Sequence, residues 1–149
     1  MKKRGFEVIT NYLNQDIHLP KRNTTHSAGY DFECAHDTVI EPGKIVPVPT
    51  GIKAYMQDGE VLQMYARSSL AMKKHLTLIN SVGIIDKDYY NNESNEGHIQ
   101  ILLYNYGSEP VHLEKGERVS QGIFINYLTV DSEEVSNVKR LGGFGSTGK

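Results

Sequence analysis

The chain has no tryptophan, and its one cysteine is Cys34. A single thiol excludes an internal disulfide and suits a reducing compartment, so a cytoplasmic location is expected. Neither sign of charge dominates: 16 Lys and Arg stand against 18 Asp and Glu, for a net charge of −2. Without a basic excess the electrostatic footprint of a duplex-binding protein is missing, and no nucleic-acid partner is expected. A polyanionic small ligand would have to be met by a local cationic site or a metal. No apolar run approaches membrane-spanning length, so no membrane partner is expected. Met1-Lys-Lys-Arg4 carries the charge of an export leader, but residues 5–13 include Glu7, Asn11 and Tyr12, and no export segment is expected. The 149 residues suit one domain.

What is present is concentrated at the end of the chain. Arg140-Leu-Gly-Gly-Phe-Gly-Ser-Thr-Gly-Lys149 sets four glycines around an aromatic ring, two hydroxyls and two cations. Such a segment is too glycine-rich to hold one shape alone. It can bring backbone N–H groups close to phosphate oxygens. Ser146 and Thr147 add hydroxyl donors, Arg140 a planar cationic fork, and Phe144 a face on which a base can stack.

The rest of the pattern is β. Residues 6–13 alternate enough for a strand. Residues 38–49 read as two short strands across a Pro42-Gly43 turn, with Pro47 and Pro49 marking an edge or irregular strand. Asp58-Gly59, between 51–56 and 60–66, is a hairpin signal. Strands are also expected over 76–82, 98–104 and 119–128. Only residues 68–75 read as a helix, with Ser68 or Ser69 as its cap. Many short strands separated by turns argue for a sandwich, jelly roll or barrel. Apolar density drops after Leu128, which reads as a linker to the glycine-rich end.

Four further segments carry chemistry: His26-Ser-Ala-Gly-Tyr-Asp31, Ala66-Arg-Ser-Ser-Leu70, Asn80-Ser-Val-Gly-Ile-Ile-Asp-Lys-Asp-Tyr89 and Gly116-Glu-Arg-Val-Ser-Gln121. Each alone has a bland reading as a turn acid, a capped helix start, solvated loop charges or a turn into a strand. Together with the tail, in this order, they are a far stronger signal.

In these five segments the sequence closely resembles the trimeric dUTP pyrophosphatase (dUTPase) family, from about Ala28 onward. The resemblance implies an all-β, distorted jelly-roll or β-barrel fold with one short helix, assembled as a homotrimer. It implies a body over residues 1–128 and, over 129–149, a linker and flexible tail that closes over the active site. It implies hydrolysis of dUTP to dUMP and pyrophosphate with Mg²⁺, which supplies dUMP for dTTP synthesis and keeps uracil out of DNA. Asp86 matches the base that takes a proton from the attacking water. Asp88, two residues on, would point the other way on an extended segment and is assigned no role. Asp31 matches the acid that holds a Mg²⁺-bound water. Ser68 matches the hydroxyl on the oxygen bridging the α and β phosphates. Arg67 and Gln121 match phosphate-side contacts, with Ser69 beside them, and Arg118 matches a mainly structural arginine.

Base selection follows from the third segment, which in the family forms a β-hairpin whose backbone groups read uracil. Asn80 and Gly83 belong to it, and Asn80 matches the residue bonded to the uracil edge. Tyr89 matches the tyrosine under the deoxyribose. In the tail, Phe144 matches the ring over the uracil, and Gly145, Ser146 and Thr147 are further substrate contacts. Arg140 matches the γ-phosphate contact, a role Lys139 could share because the usual spacing is one residue longer; Leu141 stands at a usual glycine. The family's Tyr-x-Gly is also altered: residues 90–96 intervene before Gly97, so Gly97 follows an insertion or Asn91 substitutes for the glycine. In the family each site joins the third segment of one chain, the first, second and fourth of another, and the tail of a third.

Two rivals are weighed. A dCTP deaminase of the same fold has a glutamate in the strand before its Tyr-Asn step, where this chain has Leu102 and Leu103. A regulatory role is the other, since some phage members bind repressor proteins and residues 91–96 form a suitable surface loop.

Overall fold

The computed structural model describes residues 1–135, 140–145 and 147. In chain order the strands are β1 (Gly5–Val8), β2 (Tyr30–Glu33), β3 (Thr38–Ile40), β4 (Ile45–Pro49), β5 (Ile52–Tyr55) and β6 (Glu60–Tyr65). The helix α1 (Ser68–Lys74) follows, then β7 (Leu76–Leu78), β8 (Gly83–Ile85), β9 (Gln100–Asn105), β10 (Val111–Leu113) and β11 (Arg118–Asn126). All pairings are antiparallel. One sheet has the spatial order β2-β11-β6-β8 and a second the order β4-β9-β7, with two-stranded ribbons β1-β5 and β3-β10 completing an all-β roll of jelly-roll type.

Period-two alternation places the core. Along β9, Ile101 and Leu103 are buried between half-buried Gln100, Leu102 and Tyr104. They meet Phe32, Ile40, Val48, Ile52, Leu62, Leu76, Leu113 and Val119, all within 1% of complete burial. Edge-on contact of Phe6 with Phe32, centroids 5.3 Å apart, ties the β1 ribbon to the four-stranded sheet. Asn105 is fully buried, but its amide donates to the carbonyls of Ile40 and Glu109, each at 2.8 Å, and accepts from Gly107 N–H at 2.9 Å.

Several expectations change in detail. The first strand stops at Val8, and Thr10–Tyr12 form a 3-10 turn. Pro47 and Pro49 lie in β4, at a sheet edge where their missing N–H groups cost no ladder bond. Asp58-Gly59 is a corner rather than a hairpin: β5 pairs with β1, and β6 with β11 and β8. Both strands bury apolar side chains, and each finds its own sheet. The helix cap is also displaced. Arg67, in extended conformation, occupies the N-cap position without a side-chain cap, and Ser68 is the first helical residue. Beyond Asn126 the described residues hold no strand or helix.

Candidate active site

The first group of predicted residues gathers on the β2-β11-β6 side. Asp31 of β2 lies opposite Gln121 of β11, and Gln121 lies opposite Tyr65 of β6. The chain leaves β6 through Ala66 directly into Arg67 and α1, so the second segment arrives beside the first and fourth. Arg67 Nε stands 3.4 Å from Asp31 Oδ1, and Arg118 Nη1 3.7 Å from Asp31 Oδ2. The Asn23 amide also donates to Asp31 Oδ2. Arg67 Nη1 reaches Ser69 Oγ at 3.3 Å, and Ser68 is exposed at the helix start. A side chain at Gly29 would put its Cβ 2.3 Å from Gln121 Oε1, so the glycine makes room for that amide. His18, Lys21, Asn23, Asp31, Glu33 and Arg118 line a cleft of about 350 Å³ here. Arg118, expected to be mainly structural, shares the Asp31 carboxylate with Arg67.

The second group is built on β8. Gly83 opens this strand opposite Met64 of β6, and Asp86 follows it with an extended backbone. Lys87–Tyr89 then form a 3-10 turn. That turn overturns the expectation for Asp88: the segment is not extended, and both carboxylates reach one guanidinium. Arg140 Nη2 lies 2.7 Å from Asp86 Oδ2 and Arg140 Nε 2.7 Å from Asp88 Oδ1. The arginine side chain is only 16% exposed, although the carboxylates of Asp86 and Asp88 are 48% and 64% exposed. The contact lies within one chain, whereas the resemblance implies another chain's tail at this place.

Tyr89 is buried beneath the tail. Its hydroxyl donates to the His98 carbonyl at 2.6 Å, and a Cβ added at Gly143 would come within 2.9 Å of its ring. Asn80 is exposed in the reversal between β7 and β8, which closes through Ser81 N–H to Leu78 O at 3.0 Å. Because β7 pairs with β9 and β8 with β6, this reversal joins two sheets instead of forming the expected two-stranded hairpin. Phe144 is 67% exposed, Gly145 has φ +92° and Thr147 is exposed. Ser146 and Lys139 lie outside the described residues.

The two groups stand apart. Tyr30, Gly122, Met64 and Gly83 form one row across the four strands. Asp31 is therefore three strand spacings from the level of Val82, roughly 14 Å, and Asp86 lies four residues further along, roughly another 13 Å. Asp86 and Tyr89 are thus set well apart, within one chain, from Asp31 and Gln121.

The inserted loop is where sequence reasoning missed most. Asn91 has φ +57° and Gly97 φ +90°, so both carry the left-handed backbone that the family glycine would supply. Only Gly97 requires it sterically, since its Cβ would fall 2.8 Å from Tyr89 O. Lys53, almost buried in β5, donates to Glu96 Oε2 at 2.7 Å and to Asn91 Oδ1 at 2.6 Å, pinning both ends of the loop. Thr10 N–H and Oγ1 also donate to Glu96. His98 is buried behind the loop, and its Nε2 accepts from Gly51 N–H at 2.9 Å. Burial pushes its pKa down to about 4. The only hint in the sequence was the density of Asn and Glu in residues 91–96.

Fold and site together define an all-β protein with two separate groups of candidate residues, one in which Arg67 and Arg118 flank Asp31 and one in which Arg140 bridges Asp86 and Asp88 beside Tyr89. The chain belongs to the dUTPase family, whose model matches residues 15–148. It is 58% identical to the deoxyuridine 5'-triphosphate nucleotidohydrolase of Lactococcus lactis over 149 residues, covering 99% of each chain. The crystal structure of dUTPase from Streptococcus mutans is 56% identical and superposes with a TM-score of 0.83, over 86% of this chain and 99% of that one. A dUTPase from phage phi11 of S. aureus, described with a structural Mg(II) ion, shares the fold with a TM-score of 0.75 at 19% identity, over 91% of this chain and 98% of that one.

Proposed function

We propose that this chain hydrolyses dUTP to dUMP and pyrophosphate at sites shared between copies of itself in a homotrimer. The observation that carries the reading is the separation of the half-sites: Asp86 and Tyr89 lie on one part of the chain, and Asp31, Arg67, Ser68 and Gln121 on another. A second copy that sets its first group against the second group of its neighbour completes the site.

In that arrangement Asp86 accepts a proton from the water that attacks the α-phosphorus. The bond to the oxygen bridging the α and β phosphates breaks, and Ser68 donates to that oxygen as its charge grows. Arg67, Ser69 and Gln121 hold the phosphates. Backbone groups around Asn80 and Gly83 read the uracil edge, and Tyr89 lies under the sugar. The tail, residues 129–149 with its linker, adds Phe144 over the base and Gly145, Ser146 and Thr147 around the phosphates. Its Arg140 covers Asp86 and Asp88, and phosphate oxygens compete with those carboxylates for the guanidinium.

The donor set at Asp31 fits Mg²⁺ held through water. A carboxylate flanked by Arg67 and Arg118 suits hydrogen bonds to metal-bound waters better than direct ligation. Bound there, the ion would offset triphosphate charge. Cys34, buried and free, agrees with a cytoplasmic location. Among the described residues, no helix is long and apolar enough to cross a membrane.

A regulatory protein partner at residues 91–96 is the weaker proposal, because Asn92, Asn95 and Glu96 are engaged in bonds within the fold. A pull-down with and without dUTP tests it. The catalytic reading is tested by pyrophosphate release from the common dNTPs and UTP, with and without Mg²⁺. Release confined to dUTP and dependent on the metal is expected; equal release from dCTP or UTP contradicts it.

A further inference from the structure

We propose that Asn95, in the inserted loop, is a positioning residue that fixes Tyr89 against the tail and thereby sharpens selection of deoxyribose over ribose. The inference rests on the reading of Tyr89 as the residue beneath the sugar.

The Tyr89 hydroxyl has two partners. It donates to the His98 carbonyl at 2.6 Å and accepts from Asn95 Nδ2 at 2.9 Å. The orientation of the Asn95 amide is over-determined. Its Oδ1 accepts from Gly97 N–H at 3.1 Å and from Asn92 Nδ2 at 2.8 Å, which leaves only the nitrogen to face the tyrosine. Asn92, 5% exposed, locks the loop from inside. Its Oδ1 accepts from Ser94 and Asn95 N–H at 2.9 and 3.0 Å, and its Nδ2 donates to Tyr89 O at 2.7 Å. The backbone and the hydroxyl of Tyr89 are thus both held by the same loop, and every polar group in this set has a partner.

The loop also meets the tail. Ser94 N–H donates to Leu141 O at 3.0 Å, and Gly143 lies against the Tyr89 ring. A tyrosine anchored at its hydroxyl presents its ring at a fixed height beneath the tail. A ring free to tilt makes room for one more hydroxyl on the sugar. Residues 91–96 therefore do for Tyr89 what a short Tyr-x-Gly turn cannot: they supply a side-chain donor to its far end.

The test compares kcat/KM for dUTP and UTP in the parent, Asn95→Leu, Asn95→Ala, Tyr89→Phe, Tyr89→Ala and the Asn95→Leu/Tyr89→Phe double variant, with thermal midpoints to confirm folding. Asn95→Leu should lower the dUTP/UTP ratio about fivefold, mostly through a lower KM for UTP, the size expected for one lost neutral hydrogen bond. Asn95→Ala removes the same donor without adding a charge or an acceptor that the tyrosine hydroxyl could use, so it gives the same readout if the leucine variant does not fold. In the Tyr89→Phe background Asn95→Leu should add no further loss. An unchanged ratio in a folded Asn95 variant, with Tyr89→Ala lowering it, overturns the inference alone. An equal further loss in the Tyr89→Phe background also overturns it, because Asn95 then acts by another route. A parental ratio in Tyr89→Ala overturns the reading of Tyr89 and the inference with it.

Discussion

Arg140 Nη2 lies 2.7 Å from Asp86 Oδ2, so the residue matched to a phosphate contact covers the residue matched to the general base. The same guanidinium reaches Asp88 Oδ1 at 2.7 Å. On the proposed reading, phosphate oxygens compete with these two carboxylates for the guanidinium. Substrate arrival would then free Asp86 at the moment it is needed.

Asp86→Asn should abolish turnover and leave dUTP binding nearly intact. The amide keeps the size, and its oxygen can still accept from Arg140, but it cannot take a proton from water. A loss of roughly 10²–10⁴ in single-turnover rate is expected. The rate and the equilibrium affinity are measured together. Near-parental rate, or complete loss of binding, removes Asp86 from this role.

Deleting residues 140–149 should lower the thermal midpoint only slightly, because ion pairs to exposed carboxylates such as Asp86 and Asp88 contribute about 1 kcal/mol or less, and the tail otherwise adds little beyond the Ser94–Leu141 bond and Gly143 against Tyr89. Turnover should fall steeply, since the tail supplies phosphate contacts and excludes water. Calorimetry and steady-state assays on the same preparation separate the two effects. A tail-less protein with parental turnover contradicts the assignment.

Much of this was legible in the sequence, and the failures share a cause. Local chemistry read correctly: Pro47 and Pro49 mark an edge strand, and residues 68–74 form the helix. What failed depended on strand order. Asp58-Gly59 has the local signature of a hairpin, yet its flanking strands belong to different sheets. Asp88 was misplaced because a 3-10 turn over Lys87–Tyr89 replaces an extended run, a difference of one turn of backbone that no periodicity announces. The five segments mark candidate residues, but nothing in their order tells that Asp31 lies in one edge strand of a sheet while Asp86 follows the strand at its other edge. The amide network of Asn92 and Asn95 was equally invisible, since it closes only once His98 and Tyr89 are buried together.

Stability should fall with acid through His98. Burial holds its folded pKa at about 4, below the ordinary value of 6.5, while the unfolded imidazole titrates normally. The neutral ring accepts from Gly51 N–H, a bond that protonation of Nε2 abolishes. Its contribution is full above about pH 6.5 and is lost as pH falls toward 4, because the unfolded chain binds the proton first. Denaturation midpoints of the parent and His98→Gln across pH 4–8 should converge at the acid end. A constant difference between the two curves contradicts this role.

Tyr89→Ala should weaken discrimination against UTP more than against dCTP. On the proposed reading the ring lies where a 2′-hydroxyl would intrude, whereas cytosine would be rejected by backbone groups that the substitution leaves in place. The two selectivity ratios are compared directly. If the cytosine ratio collapses first, Tyr89 shapes the base-reading segment rather than the sugar site.

The central claim is that a working site takes Asp86 from one chain and Arg67 from another. Two inactive proteins test it: Asp86→Asn, with Arg67 intact, and Arg67→Ala, with Asp86 intact. They are unfolded and refolded together at equal concentration, and dUTP hydrolysis is compared with that of each refolded alone. Random trimers place an intact Asp86 beside an intact Arg67 in roughly one site in four, so about a quarter of parental activity should appear in the mixture and essentially none in either variant. Activity in the mixture no higher than the variants' own background would mean that each site is built within a single chain.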